Sequence, residues 1–149
     1  MSKPPLTHKI IESGFAPGQS ARKEIEVFGE AGAIIYQNLL YRLMDSLCAG
    51  AYHGGVWTMV EYEDGSVAWL FPNDTQIPVS TFNGYDVTCS MESVSIAANI
   101  IAHSALMGEL CQKPNFDEDA VDRIAQNFSQ LQSMAQRLPE AAAIRRIID

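Results

Sequence analysis

The sequence has few cysteines, no long apolar run and a low share of charged residues, and each shortage excludes a class of protein. Its three cysteines lie far apart, without the close pairs that zinc sites use, so we expect reduced and mostly buried thiols. The absence of a long apolar run argues against a membrane span. The first residues lack the apolar stretch of a secretory signal, which predicts a cytoplasmic protein. An apolar fraction of 47% in 149 residues is enough for one domain with its own core.

Basic residues are missing from the middle of the chain. No Lys or Arg lies between Arg42 and Lys113, a stretch that holds eight of the 18 acidic residues. The remaining ten acids balance the ten bases, so the net charge of −8 belongs to this middle stretch. A protein that binds the nucleic-acid backbone needs a basic face. We therefore expect no direct nucleic-acid binding, and an acidic surface that either serves solubility or contacts a partner.

The motifs of common enzyme and cofactor sites are also absent. The sequence contains no Walker loop, dinucleotide-binding glycine motif, zinc-protease helix or hydrolase nucleophile elbow. Cys48 and His53 are a candidate pair of nucleophile and base, but no third residue orients them. We therefore predict that the protein is not an enzyme and has no catalytic, cofactor-binding or metal-binding residues. A small-molecule enzyme that uses Cys48 and His53 is the alternative.

The pattern of apolar residues predicts an α+β fold. A helix is expected at 29–49, and three more follow residue 90, the first of them apolar almost all round and therefore central. Between them, Asp64-Gly65 and Asn83-Gly84 are dipeptides typical of two-residue hairpin turns, and Pro78 favours an edge strand. The prediction is a four-stranded antiparallel β-meander packed by an N-terminal helix and three C-terminal helices.

The beginning of the chain looks different from the rest. Proline and glycine punctuate residues 1–23, and only residues 9–13 could form a turn of helix. We therefore expect residues 1–23 to be a poorly ordered arm and residues 24–149 to be a single α+β domain.

The first hairpin provides a candidate interaction surface. With a two-residue turn, Glu63 pairs with Ser66, and Val60 shares one face with Trp69. The opposite face is apolar at one end and acidic at the other, so it either lies under another helix or contacts a protein partner. The residues of this candidate partner surface, including one acid that follows the hairpin, are Trp57, Met59, Glu61, Glu63, Asp64 and Asp74.

A polar stripe interrupts the apolar helix that follows the strands. Ser95, Asn99 and His103 are four residues apart and therefore share one face. We expect the stripe to face solvent or to make internal hydrogen bonds, because the further ligands that a metal site needs are missing.

Several short segments occur in an order that is typical of one protein family. A helix ending in Leu-Cys leads through Tyr-x-Gly-Gly-x-Trp into a strand, and a turn and an aromatic strand ending in proline follow. The segments are Phe28-Gly29-Glu30, Tyr36, Leu47-Cys48, Tyr52-His53-Gly54-Gly55-Val56-Trp57, Asp64-Gly65, Trp69-Leu70-Phe71-Pro72, Phe82-Asn83-Gly84-Tyr85, and Pro139-Glu140-Ala141-Ala142-Ala143-Ile144 with the closing Ile148-Asp149. Over residues 24–149 the sequence thus resembles the ArdB/KlcA family of antirestriction proteins.

The resemblance implies an accessory protein of mobile DNA, such as a plasmid, that relieves type I restriction–modification during horizontal gene transfer. It implies an α+β fold and neither catalytic residues nor a cofactor. We expect such a protein to contact the restriction complex, or a host factor that controls it, through the acidic middle of the chain. The alternative is an acidic mimic of DNA. Because B-DNA carries one charge per about 1.7 Å, eight net charges match only about 14 Å of duplex. The oligomeric state stays open.

Overall fold

The computed structural model describes residues 8–13, 19–48, 50, 52, 57–71 and 75–149, and it shows an α+β fold. The predicted fold class is confirmed, and so are the four helices expected from residue 29 onwards. In chain order the elements are β1 (His8–Ser13), α1 (Gln19–Phe28), α2 (Glu30–Leu47), β2 (Thr58–Tyr62), β3 (Val67–Leu70), β4 (Gln76–Ser80), β5 (Asp86–Ser90), α3 (Met91–Cys111), α4 (Glu118–Ala135) and α5 (Ala141–Ile148).

Two of the helices, α3 and α4, begin where the sequence supplies a side-chain cap. Ser90 precedes α3, and its hydroxyl oxygen accepts a hydrogen bond from the Ser93 N–H at 3.1 Å. Asp117 caps α4 in the same way, with 3.1 Å between its carboxylate and the Ala120 nitrogen. Gly29 separates α1 from α2 with a φ of +79°, a left-handed conformation that glycine adopts readily. These local signals are why the starts of α2, α3 and α4 follow from sequence alone.

The predicted turn of helix at residues 9–13 is wrong. His8–Ser13 forms strand β1 instead of a turn of helix, and α1 begins at Gln19, inside the predicted arm. β1 pairs with β2 in antiparallel orientation, with a bulge between Ile10 and Glu12. Because β1 is stabilised by pairing with a segment far along the chain, no local pattern indicates it. The division of the chain at residue 24 stays a prediction.

The strands form two sheets rather than the predicted single meander. β1, β2 and β3 make a three-stranded antiparallel sheet in that order, and β4 and β5 make a separate two-stranded sheet. β3 does not pair with β4 because side chains from α3 and α4 bond to the free edge of β3. Pro78 lies in β4, which is an edge strand as predicted.

Both hairpins close with three-residue loops, so the predicted two-residue turns are wrong. In the first hairpin the Tyr62 N–H donates to the Ser66 carbonyl oxygen at 2.9 Å, which leaves three residues in the loop. A two-residue type I′ turn needs positive φ at both central residues. Here only the glycine of each loop has positive φ, at +87° for Gly65 and +89° for Gly84.

The longer loop shifts the register of the first hairpin by one residue. Met59 lies opposite Trp69, whereas the sequence predicted Val60 in that place. The shift places Trp69 on the face of Met59 and Trp57, because residues directly opposite share a face. The Trp57 and Phe71 rings then meet with 5.5 Å between centroids. Both faces of β2 and β3 are largely buried, so neither face is left to solvent.

α3 is the central helix of the core, as its composition predicts. It packs against α2, α4 and α5 and against β3, β4 and β5. Val94, Ala98 and Leu106 are fully buried on it. By length and composition α3 is apolar enough to cross a membrane, and core helices share that property. Its faces are instead occupied by the other elements of this fold.

Candidate functional site

Three of the four acidic residues of the predicted partner surface lie at the tip of the β2–β3 hairpin or next to it, and cations accompany two of them. The Glu61 carboxylate lies 3.2 Å from the Lys23 ammonium of α1. The Glu63 carboxylate lies 3.0 Å from the Arg137 guanidinium, just after α4. We call Glu61, Glu63 and Asp64 the acidic tip. Because two of its three carboxylates have a basic neighbour, its net charge is smaller than the sequence alone suggests.

Local hydrogen bonds fix the third carboxylate of the acidic tip. Asp64 Oδ1 accepts from the Ser66 N–H at 3.0 Å and from the Ser66 hydroxyl at 2.6 Å. Gln130 of α4 donates to the Asp64 carbonyl oxygen at 2.8 Å. Ion pairs and a hydrogen bond thus hold the acidic tip against α1 and α4. Asp74, the sixth residue of the predicted surface, lies outside the described residues.

Trp57 and Met59 are not accessible to a partner in this fold, which corrects their place in the predicted surface. The exposed fraction of both side chains is 0%. The Trp57 ring packs edge-on against Tyr41 of α2 and against Tyr52, and its Nε1–H donates to the Tyr52 hydroxyl at 3.1 Å. The shifted hairpin register and the cover provided by α2 bury this face. Of the two alternatives drawn from the sequence, the covered face is therefore the one observed.

Side chains from two helices take the place of a fourth strand at the free edge of β3. Asn99 of α3 accepts from the Trp69 N–H at 3.0 Å and donates to the Trp69 carbonyl oxygen at 2.6 Å. Asn127 of α4 accepts from the Val67 N–H at 2.9 Å and donates to the Val67 carbonyl oxygen at 3.0 Å. Each amide thus makes the pair of bonds that a neighbouring strand would make.

Ser95 completes this arrangement, which we call the β3-edge ladder (Ser95, Asn99 and Asn127). Its hydroxyl oxygen accepts from the Phe71 N–H at 3.2 Å. The internal hydrogen bonds expected for the polar stripe are therefore observed for Ser95 and Asn99. Asn127 was missed, although its position in the apolar stripe of α4, between Ile124 and Leu131, is a signal that a buried amide with partners lies there.

His103 links the Asn127 side chain of the ladder to the backbone of Asn99. Its Nδ1 lies 2.6 Å from the Asn99 carbonyl oxygen, which only accepts, so Nδ1 carries the proton. Its Nε2 accepts from the Asn127 amide at 2.7 Å. Complete burial lowers the pKa of His103 from 6.5 to about 4. This histidine is therefore neutral at physiological pH and acts as a connector within the core.

Glu24 is a buried carboxyl that the sequence did not single out. Its exposed fraction is 3%, and the Gln37 amide donates to its two oxygens at 2.8 and 3.0 Å. Burial raises the pKa of Glu24 from 4.5 to about 7, although hydrogen bonds from Gln37 and Trp69 oppose the rise. The sequence did contain a signal for this burial. Glu24 lies four residues before Phe28, so the two side chains share the inner face of α1.

The geometry around Cys48 does not support the alternative of a thiol nucleophile. Its side chain is fully buried, and Sγ lies 3.9 Å from the Met91 sulfur. Burial raises the pKa of the Cys48 thiol from 9.0 to about 11, whereas a catalytic cysteine needs a lowered pKa. His53 lies outside the described residues. Within the part of the chain that the structure describes, no group of three or more His, Cys, Asp or Glu side chains could hold a metal ion.

Comparison with known proteins identifies the family. The family model described as antirestriction protein matches residues 50–149, two thirds of the chain. The chain belongs to the antirestriction protein family. The resemblance drawn from the sequence is thereby confirmed.

Two relatives give this antirestriction protein a context. The uncharacterized protein YafX of Escherichia coli (strain K12) is 31% identical over 114 residues, which span 74% of this chain and 68% of YafX. A solved structure of the KlcA and ArdB proteins is 26% identical, with a TM-score of 0.79 over 100% of this chain and 99% of that one. Those proteins have a novel fold and show antirestriction activity against type I DNA restriction systems in vivo but not in vitro.

Proposed function

We propose that this antirestriction protein relieves type I restriction–modification of incoming DNA in the cytoplasm. The observation that carries the proposal is the similarity in fold to KlcA and ArdB along the full length of the chain. The family match over residues 50–149 supports it independently. A carrier such as a plasmid or another mobile element fits this function.

We further propose that the protein acts through contact with another protein, either the restriction complex or a host factor that controls it. A direct inhibitor would act on the purified enzyme, whereas KlcA and ArdB act in vivo but not in vitro. The activity of this protein is therefore expected to depend on a cellular component. The acidic tip is one surface for such a contact, since Glu63 and Asp64 are exposed at the turn of the hairpin.

The alternative of DNA mimicry has less support. A mimic must present carboxylates where DNA presents phosphates. Here the carboxylates of Glu61 and Glu63 have cationic neighbours within the chain. We also propose that the protein is not an enzyme, because the Cys48 thiol is buried and its pKa is raised.

Plating of unmodified phage tests the proposed function. The protein is expressed in a host with an active type I system and in an otherwise identical restriction-deficient host. We expect plating efficiency to rise only in the restricting host. Unchanged plating with abundant, folded protein would overturn the proposal. A rise in both hosts would indicate an effect unrelated to restriction.

A further inference from the structure

The outer edge of β5 is an open hydrogen-bonding edge. The Thr81 N–H donates to the Tyr85 carbonyl oxygen at 2.9 Å, so this pair is hydrogen-bonded across the hairpin. Because bonding alternates along an antiparallel pair, the N–H groups of Asp86, Thr88 and Ser90 point away from β4. The Ser90 N–H is taken by the Glu140 carboxylate at 3.1 Å. Asp86 and Thr88 are exposed, and neither N–H donates to another described residue.

The opposite edge of the same small sheet is closed to strand addition. Pro78 faces Thr88 across the hairpin, at a position whose nitrogen points outward from β4. Proline has no N–H, and natural sheets use it to block an edge. β5 has no such block at Asp86 or Thr88, so the two edges differ in their capacity to accept another strand.

A groove lined by two arginines without a carboxylate partner among the described residues runs beside the open edge. The groove has a volume of about 540 Å³ and lies between β5 and α5, and its lining includes Ala142, Ala143, Arg145 and Arg146 of α5. Asp86 and Asp149 also line it, yet no carboxylate of the described residues lies within 4.0 Å of either guanidinium. Two cations thus stay unpaired in a chain with 18 acids and ten bases.

Exposed aromatic rings continue this surface at the hairpin tip. Tyr85 and Phe82 have exposed fractions of 55% and 62%, and the Arg146 guanidinium lies 5.1 Å from the centre of the Tyr85 ring. Tyrosine and arginine are enriched among residues that dominate protein–protein binding. The contact also joins the hairpin tip to α5, so the open edge, the groove and the aromatic rings form one continuous surface.

From these observations we propose that an extended, acidic segment of a partner protein docks as a third strand on β5. The Asp86 and Thr88 backbone groups would bond to the segment, while its carboxylates face Arg145 and Arg146 and its small apolar side chains contact Ala142 and Ala143. The inference rests on the proposed function, because it identifies the chemistry of the partner. It assigns the contact to a surface separate from the acidic tip.

A peptide titration with the full chain tests the docking surface. The probe is a blocked, fluorescein-labelled peptide that alternates glutamate with valine or threonine, and the matched probe carries lysine in place of glutamate. We expect the acidic probe to bind and the basic probe to bind about tenfold more weakly or not at all, as read by fluorescence anisotropy. Equal binding of both probes, or no binding of the acidic probe, would overturn the inference.

Two variants separate the backbone and charge contributions. Thr88→Pro removes an outward N–H without removing a bond to β4, and Thr88→Val retains that N–H. Arg145→Glu with Arg146→Glu reverses the two cations, and Arg42→Glu with Arg123→Glu, at exposed positions of α2 and α4, is the control with the same change in net charge. We expect both test variants to weaken acidic-probe binding at least about tenfold, and both controls to stay within about twofold of the unmodified chain. Unchanged binding by either folded test variant contradicts the inference.

The same variants distinguish this inference from the proposed function. In the phage assay, relief that is lost with Thr88→Pro and with the double arginine variant supports the docking surface. Relief that both variants retain overturns the docking surface and leaves the proposed function standing. If the unmodified chain gives no relief, the proposed function fails, and the peptide titration alone decides the docking surface. A dimer in light scattering that Thr88→Pro dissociates would show that the edge binds a second copy instead, and would overturn the acidic partner.

Discussion

Individual buried polar residues in this protein make hydrogen bonds that apolar side chains could not make. Asn99 accepts a hydrogen bond from the Tyr36 hydroxyl as well as bonding both backbone groups of Trp69. All three residues are essentially buried, so no water replaces a lost bond at low cost. The Asn99 side chain therefore occupies the place of a further strand and leaves β3 as the edge strand of its sheet.

Replacing Asn99 should be among the most damaging single changes. Asn99→Ala leaves the Trp69 N–H and carbonyl oxygen unpaired and also opens a small cavity, so we expect a loss of about 3 kcal/mol or more in the free energy of unfolding. Urea denaturation measures it. Ser104→Ala, at an exposed position of the same helix, is the control and should change stability by less than about 0.5 kcal/mol. Similar losses in both variants would refute the role of the ladder.

Glu24 should make stability depend on pH in an unusual direction. Its folded pKa of about 7 exceeds the ordinary 4.5, so its contribution to stability is present below pH 4.5 and is lost as pH rises through 7. Glu24→Gln can keep one of the two hydrogen bonds from Gln37 and removes the charge. We expect this variant to gain about 2 kcal/mol over the unmodified chain between pH 5 and pH 8.

The measurement is urea unfolding of both proteins at several pH values. His103 acts in the opposite direction, because its folded pKa of about 4 lies below 6.5 and its contribution is lost as pH falls from 6.5 towards 4. Both proteins contain His103, so its effect cancels in the difference between them. If the difference in unfolding free energy between the two proteins does not change with pH, ionisation of Glu24 in the folded state costs no free energy.

At the scale of elements, turn geometry and edge capping decide the strand arrangement. The dipeptides Asp64-Gly65 and Asn83-Gly84 correctly indicate two hairpins. In each loop only the glycine has positive φ, and the loop contains three residues instead of the predicted two. The loop length sets which side chains share a face, so this single residue changes the predicted pairing throughout β2 and β3.

The loop glycines should be needed for their backbone conformation alone. A Cβ added at Gly65 or Gly84 meets no atom within 4 Å, and both have φ near +90°. We therefore expect Gly65→Ala and Gly84→Ala each to cost about 1 kcal/mol, measured by thermal or urea unfolding. Gly108→Ala in α3 also adds a Cβ in open space but has no positive φ, and it should gain about 0.5–1 kcal/mol. Equal effects at the three positions would contradict this explanation.

At the scale of the whole molecule, the charge distribution bears on the proposed mode of action. The net charge of −8 lies in the middle of the sequence, yet ion pairs with Lys23 and Arg137 neutralise part of it after folding. A surface of this kind suits a protein contact better than imitation of a DNA backbone.

Purified protein should therefore leave a purified type I restriction enzyme active. We expect DNA cleavage to be unchanged at about tenfold molar excess of the protein, while the same protein relieves restriction in cells. The assay follows cleavage of unmodified plasmid at low and moderate salt, since mimicry is strongest at low salt. Inhibition that weakens steeply with salt and is lost on neutralising Glu61, Glu63 and Asp64 would favour mimicry instead.

The sequence by itself determined the four helices from residue 29 onwards, the α+β class, the two hairpins and the family. Each of these follows from short-range chemistry, such as the caps at Ser90 and Asp117 or the apolar periodicity of α3. It also indicated the acidic tip, since a run of acids without bases is visible without a structure.

Only the tertiary structure decided which strands pair and which candidate residues are accessible. β1 forms because it pairs with β2. β3 is the edge strand of its sheet because Asn99 of α3 and Asn127 of α4 bond to its outer side. Trp57 is buried for the same reason, since α2 covers its face. These outcomes depend on contacts between residues that are far apart along the chain, and local propensity carries no information about them.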